Sequence, residues 1–284
     1  MNNKVWYITG ASKGLGLALV KKLLEQGYKV AATSRNKEEL KKAVDNRTND
    51  FLPIQVDLLD EASVQRSIEK TVDWFGKIDV VVNNAGYGLT GSLEELSDAE
   101  SRANFDINVF GSLNVIRKAL PHLRRQESGH IFNVASIGGF TGAFPGFGIY
   151  CATKFAVHGF TESLAAELKP FGIHTTVVSP GYFRTEFLMD TSLAVPKNAI
   201  ADYHNVREIE RLHKQDINMN QAGDPDKAAD VMIEVAALQN PPVQLFLGQD
   251  AYDLAAQKIA SIQQDLELMK ASATATAFEE VLAN

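Results

Sequence analysis

What limits this chain most is its opening. Lys4 to Thr9, a run rich in β-branched and aromatic residues, passes at once into Gly10-Ala11-Ser12-Lys13-Gly14-Leu15-Gly16 and then into Leu15, Leu19, Leu23 and Leu24 at helical spacing. That is strand, glycine turn and helix. The alternation continues. Gly27 closes the helix, Lys29 to Ser34 reads as strand, Lys37 to Val44 as helix, Phe51 to Val56 as strand, and Glu61 to Phe75 as a helix ended by Gly76. Asp79 to Val82 is a buried strand leading into Asn83-Asn84-Ala85-Gly86. Ser97-Asp98-Ala99-Glu100 has the spacing of a capping box and opens a long helix that carries Asn108 and runs to about Arg125, with a kink expected at Pro121. His130 to Ala135 is strand, Tyr150 to Leu168 is a helix stopped at Pro170, and His174 to Ser179 is strand. Strands alternating with helices of this length predict the α/β class: a doubly wound parallel sheet with right-handed crossovers and helices on both faces.

From Pro180 to about Ala222 the alternation lapses into a mixed polar and aromatic helical pattern, so residues of about 183–222 are expected to form an insertion that covers the substrate. Asp224-Pro225-Asp226 starts another helix, and Val243 to Leu247 is a last strand. Residues of about 249–284 are a C-terminal helical extension, helical over Ala251 to Leu268 and looser from Ala271. No repeat, linker or charge block divides residues 1–284, which therefore read as a single domain. A chain of 284 residues with 45% hydrophobic residues can bury one such core. A net charge of -7 argues against nucleic acid as a partner. The absence of a long apolar run argues against a membrane, and one cysteine is in keeping with a reducing, cytoplasmic setting. The six histidines show no ligand spacing such as His-x-x-x-His, so no metal is expected.

The glycine turn points to a ligand. Gly10-x-x-x-Gly14-x-Gly16 between a strand and a helix lets backbone amides at the helix N-terminus approach a pyrophosphate, the device of Rossmann-type dinucleotide sites. Such sites present a carboxylate to the ribose of NAD about 20 residues further on, or an arginine to the phosphate of NADP. Here the second strand ends Ala32-Thr33-Ser34-Arg35, without an acid, and Lys13 lies in the turn itself. Two cations converging on a 2′-phosphate predict NADP(H). Asp57, after the third strand, is placed to accept a bond from the adenine amino group.

Tyr150 and Lys154 are four residues apart at the start of a helix, hence on one face. A neighbouring ammonium favours a phenolate, so Lys154 is expected to lower the Tyr150 pKa and make it a proton donor or acceptor. Cys151 between them reads as a small buried filler.

Taken together, Thr9 to Gly16, Asp57, Asn83-Asn84-Ala85-Gly86, Asn108, Ser136, Tyr150-x-x-x-Lys154 and Pro180-Gly181 resemble, in order and spacing, the short-chain dehydrogenase/reductase family. The resemblance is close over about 4–190, and Gly181-Tyr182-Phe183-Arg184-Thr185 is similar to the branch with 17β-hydroxysteroid and retinol dehydrogenases and bacterial carbonyl reductases. It implies an NAD(P)-dependent oxidoreductase acting between a carbonyl and an alcohol. Tyr150 would protonate the carbonyl oxygen as hydride arrives, Ser136 would hydrogen-bond the same oxygen, and Lys154 would hold the nicotinamide ribose. Asn108 would hold a water linking Lys154 to solvent. The cofactor set implied is Gly10, Ser12, Lys13, Gly14, Leu15, Gly16, Arg35, Asp57, Leu58, Asn84, Ala85, Gly86, Tyr150, Lys154, Pro180, Gly181, Phe183 and Thr185.

Phe140, Phe144, Phe147, Phe183, Phe187 and Met189 lie in the two loops expected beside the nicotinamide, which suggests an apolar or aromatic ketone or alcohol. The alternatives are an NAD-linked hydroxysteroid or alcohol dehydrogenase and a non-catalytic NADP-sensing or scaffold protein. An epimerase or dehydratase is disfavoured by the glycine spacing. The resemblance also implies a homodimer, or a tetramer, paired through the Asn108 and Tyr150 helices.

Overall fold

The computed structural model describes residues 3–46 and 48–278. Strand β1 (Val5–Ile8) is wholly buried, with Trp6 and Ile8 turned to one face and Tyr7 to the other. The chain then runs α1 (Gly14–Glu25), β2 (Lys29–Ser34), α2 (Lys37–Val44), β3 (Phe51–Gln55), α3 (Glu61–Phe75) and β4 (Val80–Asn83). A short β5 (Gly88–Leu89) precedes α4 (Asp98–Phe105), α5 (Gly111–Gln126), β6 (Gly129–Val134), α6 (Gly148–Leu168) and β7 (Ile173–Pro180). The remainder is β8 (Leu193–Ala194), α7 (His204–Arg211), α8 (Pro225–Ala237), β9 (Gln244–Leu247) and α9 (Gln249–Thr274). Seven strands form one parallel sheet in the order β3-β2-β1-β4-β6-β7-β9. One face packs on α1 and α8 through Leu19, Leu23, Ala229 and Met232. The other packs on α3, α5 and α6 through Ile68, Val115, Leu123 and Leu164. This single-domain, doubly wound arrangement opens a crevice between the carboxyl ends of β1 and β4, where the winding reverses.

Three expectations need correction. The stretch after Ser97 is two helices joined by a π-helical turn, Asp106–Phe110, in which the Gly111 amide reaches back to the Asp106 carbonyl. Pro121 sits inside α5. The break therefore falls at Asn108 and not at the proline. Second, α9 continues to Thr274, past the Leu268 boundary; the looser tail expected from Ala271 begins only after it, and 279–284 lie outside the described residues. Only Ala251 and Ala255 of this helix are buried. Third, the insertion over 183–222 contains α7 and a second π turn, Leu212–Ile217, and is stitched to the body by the β5–β8 pair. Among the described residues no helix is long and apolar enough to cross a membrane, and no metal-binding group of histidine, cysteine and acid is present.

Two buried histidines tie the sheet to pH. His130 stacks on Phe132 and bonds Thr176 at 2.9 Å; His158 bonds Ser179 at 2.9 Å. Burial depresses both, His130 to about 3 and His158 to about 4, with positive neighbours helping: His174 and Lys4 for the first, Lys154 for the second. The unfolded chain binds these protons near pH 6.5 while the folded one refuses them. Stability is thus complete above about 6.5 and falls as pH drops toward 4 and 3, by about 2 kcal/mol per histidine between pH 6.5 and 5. Thermal melts at pH 7 and 5 should show that loss, with a shallower slope in His130→Asn; equal slopes would count against it.

Candidate active site

The glycine turn is sewn to the end of β4. The Thr9 hydroxyl accepts from the Asn84 and Ala85 amides at 3.0 and 3.1 Å, and the Asn84 side-chain amide donates to the Thr9 and Gly10 carbonyls, both at 3.0 Å. Gly10 has φ +64°, and a Cβ there would stand 2.6 Å from the Ala85 Cα. Only glycine fits such a position. Asn84 therefore holds the turn, and Gly16 lies behind it against that same amide, away from the open space.

In front of the turn is a cleft of about 660 Å³. Apart from Gly16 and Asn108, every residue expected at the site lines it, from Ser12, Lys13, Gly14 and Leu15 through Arg35, Asp57 and Leu58 to Pro180, Gly181, Phe183 and Thr185. The residues fit a dinucleotide. The amino end of α1 faces the cleft with no acid in its first turn, and two buried polar atoms of lining residues, Ser192 Oγ and Gln221 Oε1, have no partner among the described residues. The two cations do not act alike. Arg35 is exposed at the end of β2, whereas Lys13 reaches across to the Thr191 carbonyl and hydroxyl at 3.2 and 3.3 Å. Beside it the Gly14 amide donates to the Glu186 carboxylate at 3.3 Å, so the segment after β7 bridges the mouth of the turn. Asp57 uses one oxygen to accept from the Leu59 amide at 3.0 Å.

At the other end, α6 presents Tyr150 and Lys154 one turn apart, both buried. Lys154 Nζ donates to the Val134 carbonyl at 2.9 Å and lies 5.8 Å from the Tyr150 ring centre. Ser136 follows β6 and accepts from the Gly138 amide at 3.1 Å; a Cβ on Gly138 would come within 3.5 Å of Ser136 Oγ and 3.7 Å of the Tyr150 ring. Its bare backbone leaves hydroxyl and phenol side by side. Their electrostatics reverse one expectation. Burial raises the Tyr150 pKa well above its ordinary value, with the Ser136 hydroxyl working the other way, so Lys154 does not set it low. The same burial takes Lys154 down to about 8, because a desolvated ammonium gives up its proton more readily.

Asn108 sits one layer back. Its oxygen accepts from the Tyr87 amide at 3.0 Å, and its nitrogen donates to the Tyr87 carbonyl and the Thr153 hydroxyl, both at 3.1 Å. The side chain thus props Tyr87 and α6, and is committed to protein where a water link had been expected. Gly86 is small for a reason: a Cβ would stand 3.0 Å from Asn108 Oδ1 and 3.5 Å from Lys154 Nζ.

Of the expected apolar wall, Phe144, Phe147, Phe183 and Phe187 line the cleft. Phe140 instead packs on Phe246 and His158, and Met189 faces outward. Cys151 lines the cleft as a buried thiol pushed up to about 11 by that burial, which suits a filler. Sequence reasoning gave no role to Tyr182 and His213. Tyr182 Oη is 2.8 Å from His213 Nε2, and the Tyr182 amide donates to Asp250 at 2.7 Å, so the first turn of α9 fixes this loop. Tyr182 stood in a recognised run; His213 left no mark beyond being a histidine in a polar helical stretch.

A family model described as short chain dehydrogenase matches residues 4–195. The chain is similar to Oxidoreductase BOA17 of Botryotinia fuckeliana, at 37% identity over 95% of this chain and 99% of that one. It is also similar to a 3-ketodihydrosphingosine reductase of Bacteroides thetaiotaomicron (33%; 87% and 89%) and to human 17-beta-hydroxysteroid dehydrogenase type 1 (32%; 87% and 78%). Among solved structures, a short-chain dehydrogenase from Streptomyces avermitilis superposes with a TM-score of 0.88 at 32% identity, covering 96% of this chain and 100% of that one. A 3-ketoacyl-(acyl-carrier-protein) reductase from Brucella melitensis complexed with NADH gives 0.72 at 28% (86% and 96%). A short chain dehydrogenase from Burkholderia cenocepacia in complex with NADP gives 0.71 at 29% (94% and 98%).

Proposed function

The chain belongs to the short chain dehydrogenase family, and from that premise we propose that it is an NADPH-dependent reductase of an apolar or aromatic ketone, with Tyr150 as proton donor. The observation that carries the reading is the Tyr150 phenol beside Ser136 and one turn from Lys154, all three lining one cleft with the glycine turn. When bound, the nicotinamide supplies or accepts the hydride. The chain's own part is the proton and its placement. Burial keeps Tyr150 protonated at neutral pH, which suits an acid in the reductive direction. Ser136 holds the carbonyl oxygen against that phenol. Lys154, still charged at pH 7, stabilises the phenolate left after the proton has gone and restores it. Its ammonium loses charge as pH rises through about 8, so reduction should hold level below that value and decline above it. A rate still rising from pH 8 to 9.5 would contradict this.

The preference for NADPH rests on Arg35, exposed and cleft-lining at the end of a strand that carries no acid. Lys13 supports it less, being engaged with Thr191. Kinetics on a panel of aromatic and aliphatic ketones with both nucleotides tests the reading. Arg35→Ala is expected to raise KM for NADPH about tenfold or more and to leave KM for NADH within about twofold. Equal effects would remove the argument from charge. Pairing into a homodimer through α5 and α6 belongs to the same proposal, supported by Phe110 and Phe155, large apolar side chains left exposed beside and on those helices.

A further inference from the structure

The substrate end of the cleft is aromatic on most sides. Phe187 lies 5.9 Å from Tyr150, Tyr150 6.1 Å from Phe147, Phe147 4.9 Å from His213, and His213 5.6 Å from Tyr182, all centre to centre. In that wall the Tyr182–His213 pair is a polar feature which the reaction does not use. Its hydrogens can be assigned. His213 Nδ1 is 2.7 Å from the Ile209 carbonyl, and a carbonyl oxygen can only accept, so Nδ1 carries the proton. Burial lowers the His213 pKa, so the ring is neutral at pH 7 and Nε2 is an acceptor. The 2.8 Å contact is therefore the Tyr182 phenol donating to His213. With its only hydrogen committed, the Tyr182 oxygen keeps lone pairs and nothing to give. The pair is stiff as well, since the Tyr182 amide is tied to Asp250 at 2.7 Å.

We infer that Tyr182 is a specificity-determining residue, positioned by His213, whose oxygen accepts a hydrogen bond from a donor group on the substrate remote from the reacting carbonyl. The inference rests on the ketone-reductase reading and narrows it to ketones that carry a hydroxyl, phenol or similar donor. A ketone with an ether or a second carbonyl in that place meets lone pair with lone pair, and one with plain hydrocarbon leaves the phenol oxygen unsatisfied.

The test uses matched ketones. Acetophenone, 1-tetralone and 4-phenylcyclohexanone are each taken unsubstituted, with a hydroxyl at the far end of the ring, and with that hydroxyl methylated. In the wild-type protein at least one hydroxy compound is expected to exceed its unsubstituted and methoxy partners about tenfold in kcat/KM. Tyr182→Phe should bring the hydroxy-to-unsubstituted ratio down to within about twofold of one. His213→Phe frees the phenol hydrogen and should turn the preference toward the methoxy compounds, a reversal that a merely structural role for His213 would not produce. The same ketones are titrated by calorimetry into Tyr150→Phe protein saturated with NADPH, which reads affinity without turnover. If no ketone is reduced but the hydroxy compounds bind preferentially, the proposed reaction is wrong and the anchor stands. Reduction, or binding, with ratios unchanged by Tyr182→Phe overturns the anchor, as does failure of every compound to bind.

Discussion

Replacing Tyr150 with phenylalanine is expected to lower kcat for carbonyl reduction by at least about a thousandfold while NADPH affinity changes by no more than about threefold. The substitution keeps the ring that packs on Phe147 and Phe187 and removes only the oxygen. General acids of this kind contribute on the order of 10² to 10⁴ in rate. The upper part of that range applies because Lys154 donates to Val134, and the Ser136 hydroxyl has no charged neighbour to lower its pKa. Stopped-flow single turnovers, with fluorescence titration of NADPH, separate the two quantities. Retention of more than about a tenth of the rate would show that another group delivers the proton.

The second large effect is expected at Arg207. Glu95 has a side chain with no exposed surface, and Arg207 from α7 grips it with two bonds of 2.9 and 2.8 Å. Glu95 also accepts from the Ser92 and Ile200 amides. Arg207→Ala leaves that carboxylate buried with its cation gone. Loss of one partner of a buried pair costs about 3–5 kcal/mol, and the partial exposure of Arg207 places this case at the lower end. The cost should appear locally. Amide exchange over 200–217 is expected to accelerate by about a hundredfold, with KM for the ketone rising and the core strands unchanged. Arg207→Lys restores part of the protection. Unaltered exchange would mean that the β5–β8 pair alone holds the covering segment.

How much of this could be read beforehand depends on how local each cause is. Helices α2 and α3 have the bounds expected because their signals are adjacent residues. Asn36 and Asp60 cap them with side-chain bonds, and Gly76 ends the second at φ +84°. The glycine turn and the Tyr150–Lys154 pair were legible for the same reason. The β5–β8 pair was not, since two residues have no periodicity, and neither was the Glu95–Arg207 clasp, whose partners are 112 residues apart. Tyr182 and His213 meet across 31 residues through a turn that shows no pattern. The direction of the Tyr150 shift failed differently. Spacing reported the ammonium four residues on, but only the assembled fold shows how dry the phenol is, and dryness outweighs the cation.

The wide turn at Asp106–Phe110 has a consequence for how this protein can change over time. It holds one residue more than the regular coil needs, and that surplus lets Asn104 and Asn108 both reach the Tyr87 carbonyl, at 3.0 and 3.1 Å, while Val115, Ile116, Ala119 and Leu123 still face the sheet. Losing a single codon there would restore ordinary pitch and rotate everything downstream by about 100°, carrying that apolar stripe toward water. The stretch therefore tolerates exchange of letters but not a change in their number, and an alignment gap falling inside it would mark a pseudogene or a sequencing error.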